Sequence, residues 1–167
     1  MQKFLILIFS CFILISCVGS KANPYLGYTK SGMIHLYDGT KLRLRHLEAV
    51  NALRHERDLA DLSFSNELSA SAASHAMDIS NQKRAWNFGS DGSSPQKRAE
   101  VSGFVGIVTG ENVSETYEGE FLVLQVWLKN SLARSVLFDK KATNLGLGWY
   151  QQENGKIWWV QVLGYPK

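Results

Sequence analysis

The sequence predicts an α+β fold in which three helices precede a closing pair of strands. Apolar residues recur at helical spacing in three stretches before residue 131, whereas residues 145–163 are rich in β-branched and aromatic side chains. The chain also carries five Trp, eight Phe and six Tyr. With 167 residues of this composition, it can bury a core without a disulfide or a metal. We therefore expect one globular domain.

The first predicted elements are a hairpin and a helix. The segment 38–40, Asp-Gly-Thr, separates two short apolar runs at 33–37 and 41–44, and this pattern predicts a β-hairpin. Apolar residues then recur every three residues and predict a first helix over residues 44–57.

Two further helices follow along the chain. A second apolar stripe predicts a helix over residues 66–81, with Ser65 as its N-cap. Residues 87–98 are rich in Gly, Ser and Asp and include a Pro, so they predict a long loop. Residues 120–130 predict a third helix that is apolar nearly all round and therefore mostly buried.

The closing strands are predicted over residues 145–150 and 157–163, around an Asn-Gly turn at 154–155. Each strand contains an adjacent aromatic pair. We expect one member of each pair in the core, because adjacent strand residues face opposite sides. The pairs are Trp149 with Tyr150 and Trp158 with Trp159.

The charge pattern argues against a nucleic-acid partner. The chain has 18 basic and 15 acidic residues, a net charge of +3, whereas nucleic-acid binders concentrate a stronger basic excess on one face. The densest basic run is interleaved with carboxylates, which indicates a solvated surface. Its members are Lys41, Arg43, Arg45, Arg54 and Arg57, with Glu48, Glu56 and Asp58 among them.

The N-terminus has the features of an export signal. A basic start is followed by an apolar run over residues 4–15, which is too short to span a membrane. The run ends in Leu-Ile-Ser-Cys, which resembles the lipobox of bacterial lipoproteins and marks Cys17 for acylation. Because Cys11 is the only other cysteine, Cys17 has no downstream disulfide partner. A plain secretory signal cut near Ser20 and a buried free cysteine are the alternatives.

The chain thus divides into three parts. Residues 1–16 are the lipoprotein signal peptide, residues 17–46 are a tether and the N-terminal hairpin, and residues 47–167 are the folded domain. Residues 18–28 have no apolar period and are typical of a linker. Two or more acyl chains on Cys17 hold such a domain stably at a membrane surface.

Several short segments, taken in their order along the chain, are similar to one known family. They are Asn51-Ala52-Leu53-Arg54, Gly89-Ser90-Asp91-Gly92 with Arg98, Gly110-Glu111-Asn112-Val113, Trp127, Gly146-Leu147-Gly148-Trp149 and Trp158-Trp159-Val160-Gln161. They resemble the CAP family of cysteine-rich secretory proteins, antigen 5 and pathogenesis-related proteins, also called SCP-like, over about residues 47–164. The resemblance implies an α-β-α sandwich with a central, mostly antiparallel sheet.

The resemblance also implies a cleft with a metal site. In this chain the metal site is degenerate. Metal-binding members use two histidines with accompanying acidic residues. Asn87 and Ala133 stand where those histidines are expected, so we expect no metal and no cofactor. The candidate cleft residues are Asn87, Glu111 and Asn112. Glu111 either contacts a ligand or satisfies backbone N–H groups or an arginine, and both interpretations stay open.

The remaining candidate groups give no catalytic residue. His75 shares a helical face with apolar residues, which is more typical of a satisfied core histidine than of a ligand. His55-Glu56 lacks the second histidine of a zinc-protease motif, because Leu59 occupies its place. Neither a nucleophile elbow nor a phosphate-binding loop is present in the sequence.

The sequence therefore favours a non-catalytic binding module of the bacterial cell envelope that binds a lipid, a glycan or a protein partner. Its membrane contact is the anchor on Cys17, at the inner or the outer membrane. One alternative is a weak metal-dependent envelope enzyme with other ligands, such as His75 with Glu100 or Glu111. Another is a scaffold that only contacts other envelope proteins.

Cys17→Ser is expected to leave the protein unlipidated, because thioether acylation requires the sulfur. The variant should leave the detergent-extracted membrane fraction and appear in the soluble fraction, as measured by fractionation and intact-mass spectrometry. Cys11→Ser is the matched control, since Cys11 lies within the predicted signal peptide. Unchanged membrane retention of the Cys17 variant would contradict the lipoprotein interpretation.

Overall fold

The computed structural model describes residues 33–34, 38–115 and 119–167. The predicted signal peptide, Cys17 and the linker at 18–28 lie outside the described residues. Five helices and four strands occur within the described ranges. They are α1 Gly39–His55, β1 Ser63–Phe64, α2 Asn66–Gln82, α3 Pro95–Val101, β2 Gly106–Glu115, α4 Glu120–Lys129, α5 Ser131–Leu137, β3 Asn144–Gln151 and β4 Ile157–Pro166.

The four strands form one sheet in the order β1-β3-β4-β2. Strand β4 lies between β3 and β2 and runs antiparallel to both, whereas the short β1 pairs parallel with β3. The turn between β3 and β4 contains Gly155 with a φ of 88°, a conformation that glycine adopts without strain. The predicted closing hairpin and the mostly antiparallel sheet are thus confirmed.

Helices cover both faces of this sheet. The core around Trp158 lies under α2 and α3, and the core around Trp159 lies under α1, α4 and α5. Both tryptophans are buried, where the sequence predicted one of the two, because each face of the sheet has its own helical layer. Trp149 packs against the core and Tyr150 is exposed, as predicted. The arrangement is an α-β-α sandwich.

Two glycines of β3 allow α2 to lie directly against the sheet. A Cβ at Gly146 would clash with the backbone of Leu68 and Ser69, and one at Gly148 with the backbone of Ala73. Backbone atoms in a packed helix cannot move aside as a flexible side chain can. The Gly-Leu-Gly segment is therefore a requirement of helix packing.

The predicted N-terminal hairpin is wrong over residues 39–46. These residues belong to α1, which begins at Gly39 rather than at residue 44. Leu42, His46 and Val50 are fully buried at a spacing of four, so the apolar stripe of the helix extends back past the predicted domain start at residue 47. Packing on the sheet overrides the local turn signal at 38–40. Residues 35–37 of the predicted first strand lie outside the described residues.

Arg54 is not part of a solvated surface, although the sequence predicted one there. Its side chain is buried, with 1% of the residue exposed. The guanidinium donates hydrogen bonds to four backbone carbonyls, which tie the end of α1 to the chain around α5. Those carbonyls belong to Ala60, Leu137, Asp139 and Ala142. Lys41 and Arg57 of the basic run are exposed as predicted, whereas Arg43 and Arg45 are half-buried.

The helices α2 and α4 confirm the predicted helices over residues 66–81 and 120–130, but the prediction that the second of them is mostly buried is wrong, because Phe121, Leu122 and Gln125 are exposed. The Ser65 hydroxyl accepts from the backbone N–H of Leu68, so Ser65 is the predicted N-cap. The predicted loop 87–98 ends earlier, because Ser94 caps α3 and Pro95 occupies its first turn.

No helix within the described ranges combines the length and the apolar character needed to cross a membrane.

Candidate functional site

A cleft of about 250 Å³ lies between β2, α4 and α5. The three candidate residues Asn87, Glu111 and Asn112 all line it, together with Ala133. Strand β2, which the sequence did not predict, carries Glu111 and Asn112. Asn87 follows α2 on the loop to α3, and Ala133 lies on α5. The structure therefore brings the predicted residues together, while ligand binding by them stays a prediction.

Glu111 is held by an arginine from α3. Its side chain is fully buried, and Nη2 of Arg98 lies 2.8 Å from Oε1 and 2.9 Å from Oε2. The Nδ2 amide of Asn87 donates to the same Oε1 at 3.1 Å and to the Glu111 backbone carbonyl at 3.0 Å. The structure shows the contact with an arginine, and ligand contact by Glu111 stays a prediction.

Burial has the largest effect on the pKa of the Glu111 carboxyl. Removal from water raises the pKa of its carboxyl above the usual range, and the charge and hydrogen bonds of Arg98 and the amide of Asn87 offset only part of that effect. The ionised carboxylate thus depends on its guanidinium partner, because an unpaired charge at this depth is strongly unfavourable.

Arg98 also organises the loop that precedes its own helix. Nη1 donates to the Ser93 carbonyl at 2.6 Å, and Nη2 donates to the Asn87 carbonyl at 3.2 Å. One side chain therefore joins the loop 87–94, α3 and β2. The sequence pointed to Arg98 only as part of a resemblance. The signal in the sequence was Glu111 itself. If its carboxylate is buried without the expected metal, another positive group has to balance its charge.

His75 is a buried residue of α2 that lies next to this ion pair. Its Nε2 is 2.9 Å from the Trp86 carbonyl and therefore carries the proton, because a carbonyl only accepts. The same Nε2 lies 3.6 Å from Glu111 Oε1. Burial and then the nearby Arg98 charge lower the pKa of His75 to about 4, so the ring is neutral at physiological pH. The predicted core position of His75 is confirmed.

Asn112 positions a helix next to the cleft. Its Nδ2 donates to the Ala133 carbonyl at 3.0 Å and so ties β2 to α5. The start of α5 is fixed in turn by Asn130, whose side-chain oxygen accepts from the backbone N–H groups of Leu132 and Ala133. Two sets of hydrogen bonds therefore hold the start of α5, which forms one wall of the cleft. One joins Asn112 to the Ala133 carbonyl, and the other joins the Asn130 side chain to the first N–H groups of the helix.

A family model described as CAP, the Cysteine-rich secretory protein family, matches residues 47–163. The chain belongs to this family. The CAP domain accounts for both helical layers and for the sheet between them. No individual curated protein matches the chain significantly in sequence.

Solved structures show the same fold at low sequence identity. An extracellular Bacillus anthracis protein containing an SCP domain has a TM-score of 0.68 at 19% identity, covering 77% of this chain and 41% of that one. A Borrelia burgdorferi outer surface protein has a TM-score of 0.68 at 16% identity, covering 79% and 95%. A Staphylococcus aureus cysteine-rich secretory protein has a TM-score of 0.58 at 14% identity, covering 75% and 38%. This chain thus spans about two fifths of the Bacillus and Staphylococcus proteins.

The residues in this CAP cleft do not fit a metal ion. An amide and a methyl group, from Asn87 and Ala133, stand where imidazole ligands are expected, and the carboxylate of Glu111 is already paired with a guanidinium. Within residues 33–34, 38–115 and 119–167, no three His, Cys, Asp or Glu side chains converge as a metal-binding group.

Arg98→Met is expected to destabilise the domain by about 3–5 kcal/mol at pH 8, because it leaves the Glu111 carboxylate buried without a counter-charge. The loss should shrink towards pH 5. A raised folded-state pKa lets the folded variant bind a proton before the unfolded chain does, so the folded state gains relative stability as pH falls. Urea unfolding at both pH values measures the effect.

Arg98→Met/Glu111→Gln is the control for this pH dependence. Without a titratable carboxyl, its stability difference from Glu111→Gln should change little between pH 8 and pH 5. An equal loss for Arg98→Met at both pH values would show that the arginine acts through its packing and its hydrogen bonds to the loop, and not through its charge on Glu111.

Proposed function

We propose that the protein is a non-catalytic binding module of the bacterial cell envelope whose cleft binds a lipid, a glycan or a protein partner. The observation that carries this proposal is the state of Glu111. Both of its carboxylate oxygens accept from Arg98, and one also accepts from Asn87. The carboxylate is therefore engaged and is poorly suited to proton transfer or to cation binding.

The rest of the cleft offers groups suited to binding rather than to chemistry. Neutral hydrogen-bonding side chains, from Asn112, Ser114 and Asn130, alternate with aliphatic ones. A mixture of a few polar groups with apolar walls is typical of sites that recognise a ligand by shape and hydrogen bonds. The aliphatic lining residues are Val113, Val126, Leu132, Ala133 and Val136.

A metal-dependent enzyme has less support from the same residues. The ligand sets that the sequence left open combined His75 with Glu100 or Glu111. Nε2 of His75 donates to a backbone carbonyl, and Glu111 is paired with Arg98. Glu100 accepts a hydrogen bond from Gln96 on the exposed side of α3. Both carboxylates thus already have a partner, and Nδ1 of His75 alone does not make a metal site.

An envelope location is supported by two separate observations. The Leu-Ile-Ser-Cys segment ending at Cys17 resembles a lipobox, and an acylated Cys17 would anchor the domain at the inner or the outer membrane. Structurally similar proteins include an extracellular protein of Bacillus anthracis and an outer surface protein of Borrelia burgdorferi. We propose a similar setting for this chain.

A protein-interaction scaffold is the second candidate, and exposed apolar residues on α4 and α5 favour it. Leu132, at the mouth of the cleft on α5, is 79% exposed. Phe121 and Leu122 on the adjacent α4 are also exposed. Large apolar side chains that remain exposed to water are a feature of protein-binding surfaces where they form a continuous patch.

Leu132→Glu is expected to lower the amount of molecule that co-purifies with the chain about tenfold, because it replaces an apolar contact by a charge that must be desolvated. Ser131→Glu is the matched control, since Ser131 is exposed beside it but does not line the cleft. The lipid-anchored chain is purified from its bacterial membranes, and bound lipids, glycans and proteins are identified by mass spectrometry.

A lipid or a glycan that depends on Leu132 supports the binding module, and a protein that depends on Leu132 supports the scaffold. Recovery of the same molecules from wild type and both variants would contradict a binding role for the cleft. Stoichiometric zinc in the wild-type protein would favour the enzyme instead.

A further inference from the structure

Strand β2 lies at an edge of the sheet, and an amide side chain covers the first part of that edge. In the part of the chain that the structure describes, β4 is the strand that pairs with β2, on its other side. The Gln96 amide donates to the Gly106 carbonyl at 3.0 Å and accepts from the Val108 N–H at 2.8 Å. Gln96 thus pairs with the edge as a peptide group of a neighbouring strand would.

A bulge at residues 108–110 changes which residues of β2 point outward. Beyond it, Asn87 Nδ2 donates to the Glu111 carbonyl at 3.0 Å. Trp127 Nε1 reaches the Val113 carbonyl at a longer 3.4 Å. Because the N–H and the C=O of one strand residue lie on the same edge, the N–H groups of Glu111 and Val113 also point away from β4. No strand within the described ranges accepts from them there.

This outward part of β2 borders the cleft. The side chains of residues 111–114 alternate between the two faces of the sheet. Glu111 contacts Arg98 of α3, whereas Asn112 contacts α5 on the opposite face. All four consecutive residues nevertheless line the cleft. One cavity can be lined in this way only if it borders the backbone edge of the strand, so the two outward N–H groups lie along the cleft.

The spacing of these donors determines the class of molecule that fits them. N–H groups on alternate strand residues lie about 7 Å apart, which is the spacing of alternate carbonyls in an extended peptide. An acyl chain has no acceptor for them, and sugar hydroxyls do not repeat with this two-residue spacing. Elsewhere along the same edge, the partners are already amides, from Gln96 and Asn87. The aliphatic walls on α4 and α5 suit an apolar side chain.

We propose that the cleft binds a short extended segment of a protein partner, which adds a strand to the edge of β2. An open strand edge is a template for such pairing, in which main-chain hydrogen bonds give affinity and side-chain pockets give specificity. The inference rests on the proposed binding function and names the class of partner.

NMR of the ¹⁵N-labelled full chain in phospholipid nanodiscs tests the proposal. The probes are capped pentapeptides of the sequence Ser-X-Ser-X-Ser, in which X is Val, Leu or Phe. At least one should slow hydrogen exchange of the Glu111 and Val113 N–H groups about tenfold or more, because both become hydrogen-bonded. Matched peptides that are N-methylated at every residue cannot pair as a strand and should bind at least about tenfold more weakly. Palmitate and chitotriose are the lipid and glycan probes.

Val113→Pro removes one outward N–H group and should weaken peptide binding at least about tenfold. Proline is tolerated at such an edge position, because the lost N–H takes no part in the ladder. Glu115→Pro is the matched control, since Glu115 is the next outward residue and does not line the cleft. Thermal unfolding verifies that both variants are folded. If Val113→Pro does not fold, the N-methylated peptides decide.

The proposal is overturned if no peptide protects the two N–H groups, or if the N-methylated peptides bind equally well. Protection of these groups by palmitate or chitotriose, or wild-type affinity in folded Val113→Pro, would overturn it too. A lipid or a glycan that co-purifies through Leu132 would in that case leave the proposed binding function standing. Recovery of every molecule independently of Leu132 contradicts the binding function itself.

Discussion

The buried ion pair between Arg98 and Glu111 is the interaction on which the cleft depends. A carboxylate at this depth is strongly unfavourable without a counter-charge, and Arg98 supplies that charge with two short contacts. The same guanidinium holds the carbonyls of Ser93 and Asn87, so it fixes the loop 87–94 as well. The neutral state of His75 follows from burial beside this positive charge.

The sandwich places this pair between the cleft and a second cavity of about 400 Å³, which lies between α2 and α3. Glu111 lines the cleft on the side of α4 and α5, whereas Arg98 lines the larger cavity between α2 and α3. The glycines of β3 bring α2 directly onto the sheet, which buries His75 near the pair. The ion pair thus separates the cleft from this cavity.

Local signals in the sequence were sufficient for α2, α4 and the closing hairpin, but not for β2, for the start of α1 or for the site. Ser65 and the Asn-Gly turn at 154–155 act on their nearest neighbours, so α2 and the β3–β4 hairpin could be predicted. Burial of Arg54 could not, because its carbonyl partners lie up to 88 residues away. Arg98 and Glu111 likewise come from a helix and a strand whose contact only tertiary packing creates. The family resemblance predicted which residues line the cleft. Asn87 and Ala133, which stand where histidines were expected, predicted that the cleft lacks a metal site.

Zinc titration by calorimetry tests most directly whether Arg98 takes the place of a bound cation at Glu111. Asn87→His/Ala133→His is compared with the same variant that also carries Arg98→Ser. We expect the wild type and the double variant to bind no zinc tightly, and the triple variant to bind at least about tenfold more tightly, because only then is the carboxylate available beside two imidazoles. Thermal unfolding without zinc verifies that each variant is folded. Tight binding by the double variant, or no gain in the folded triple variant, would contradict the claim.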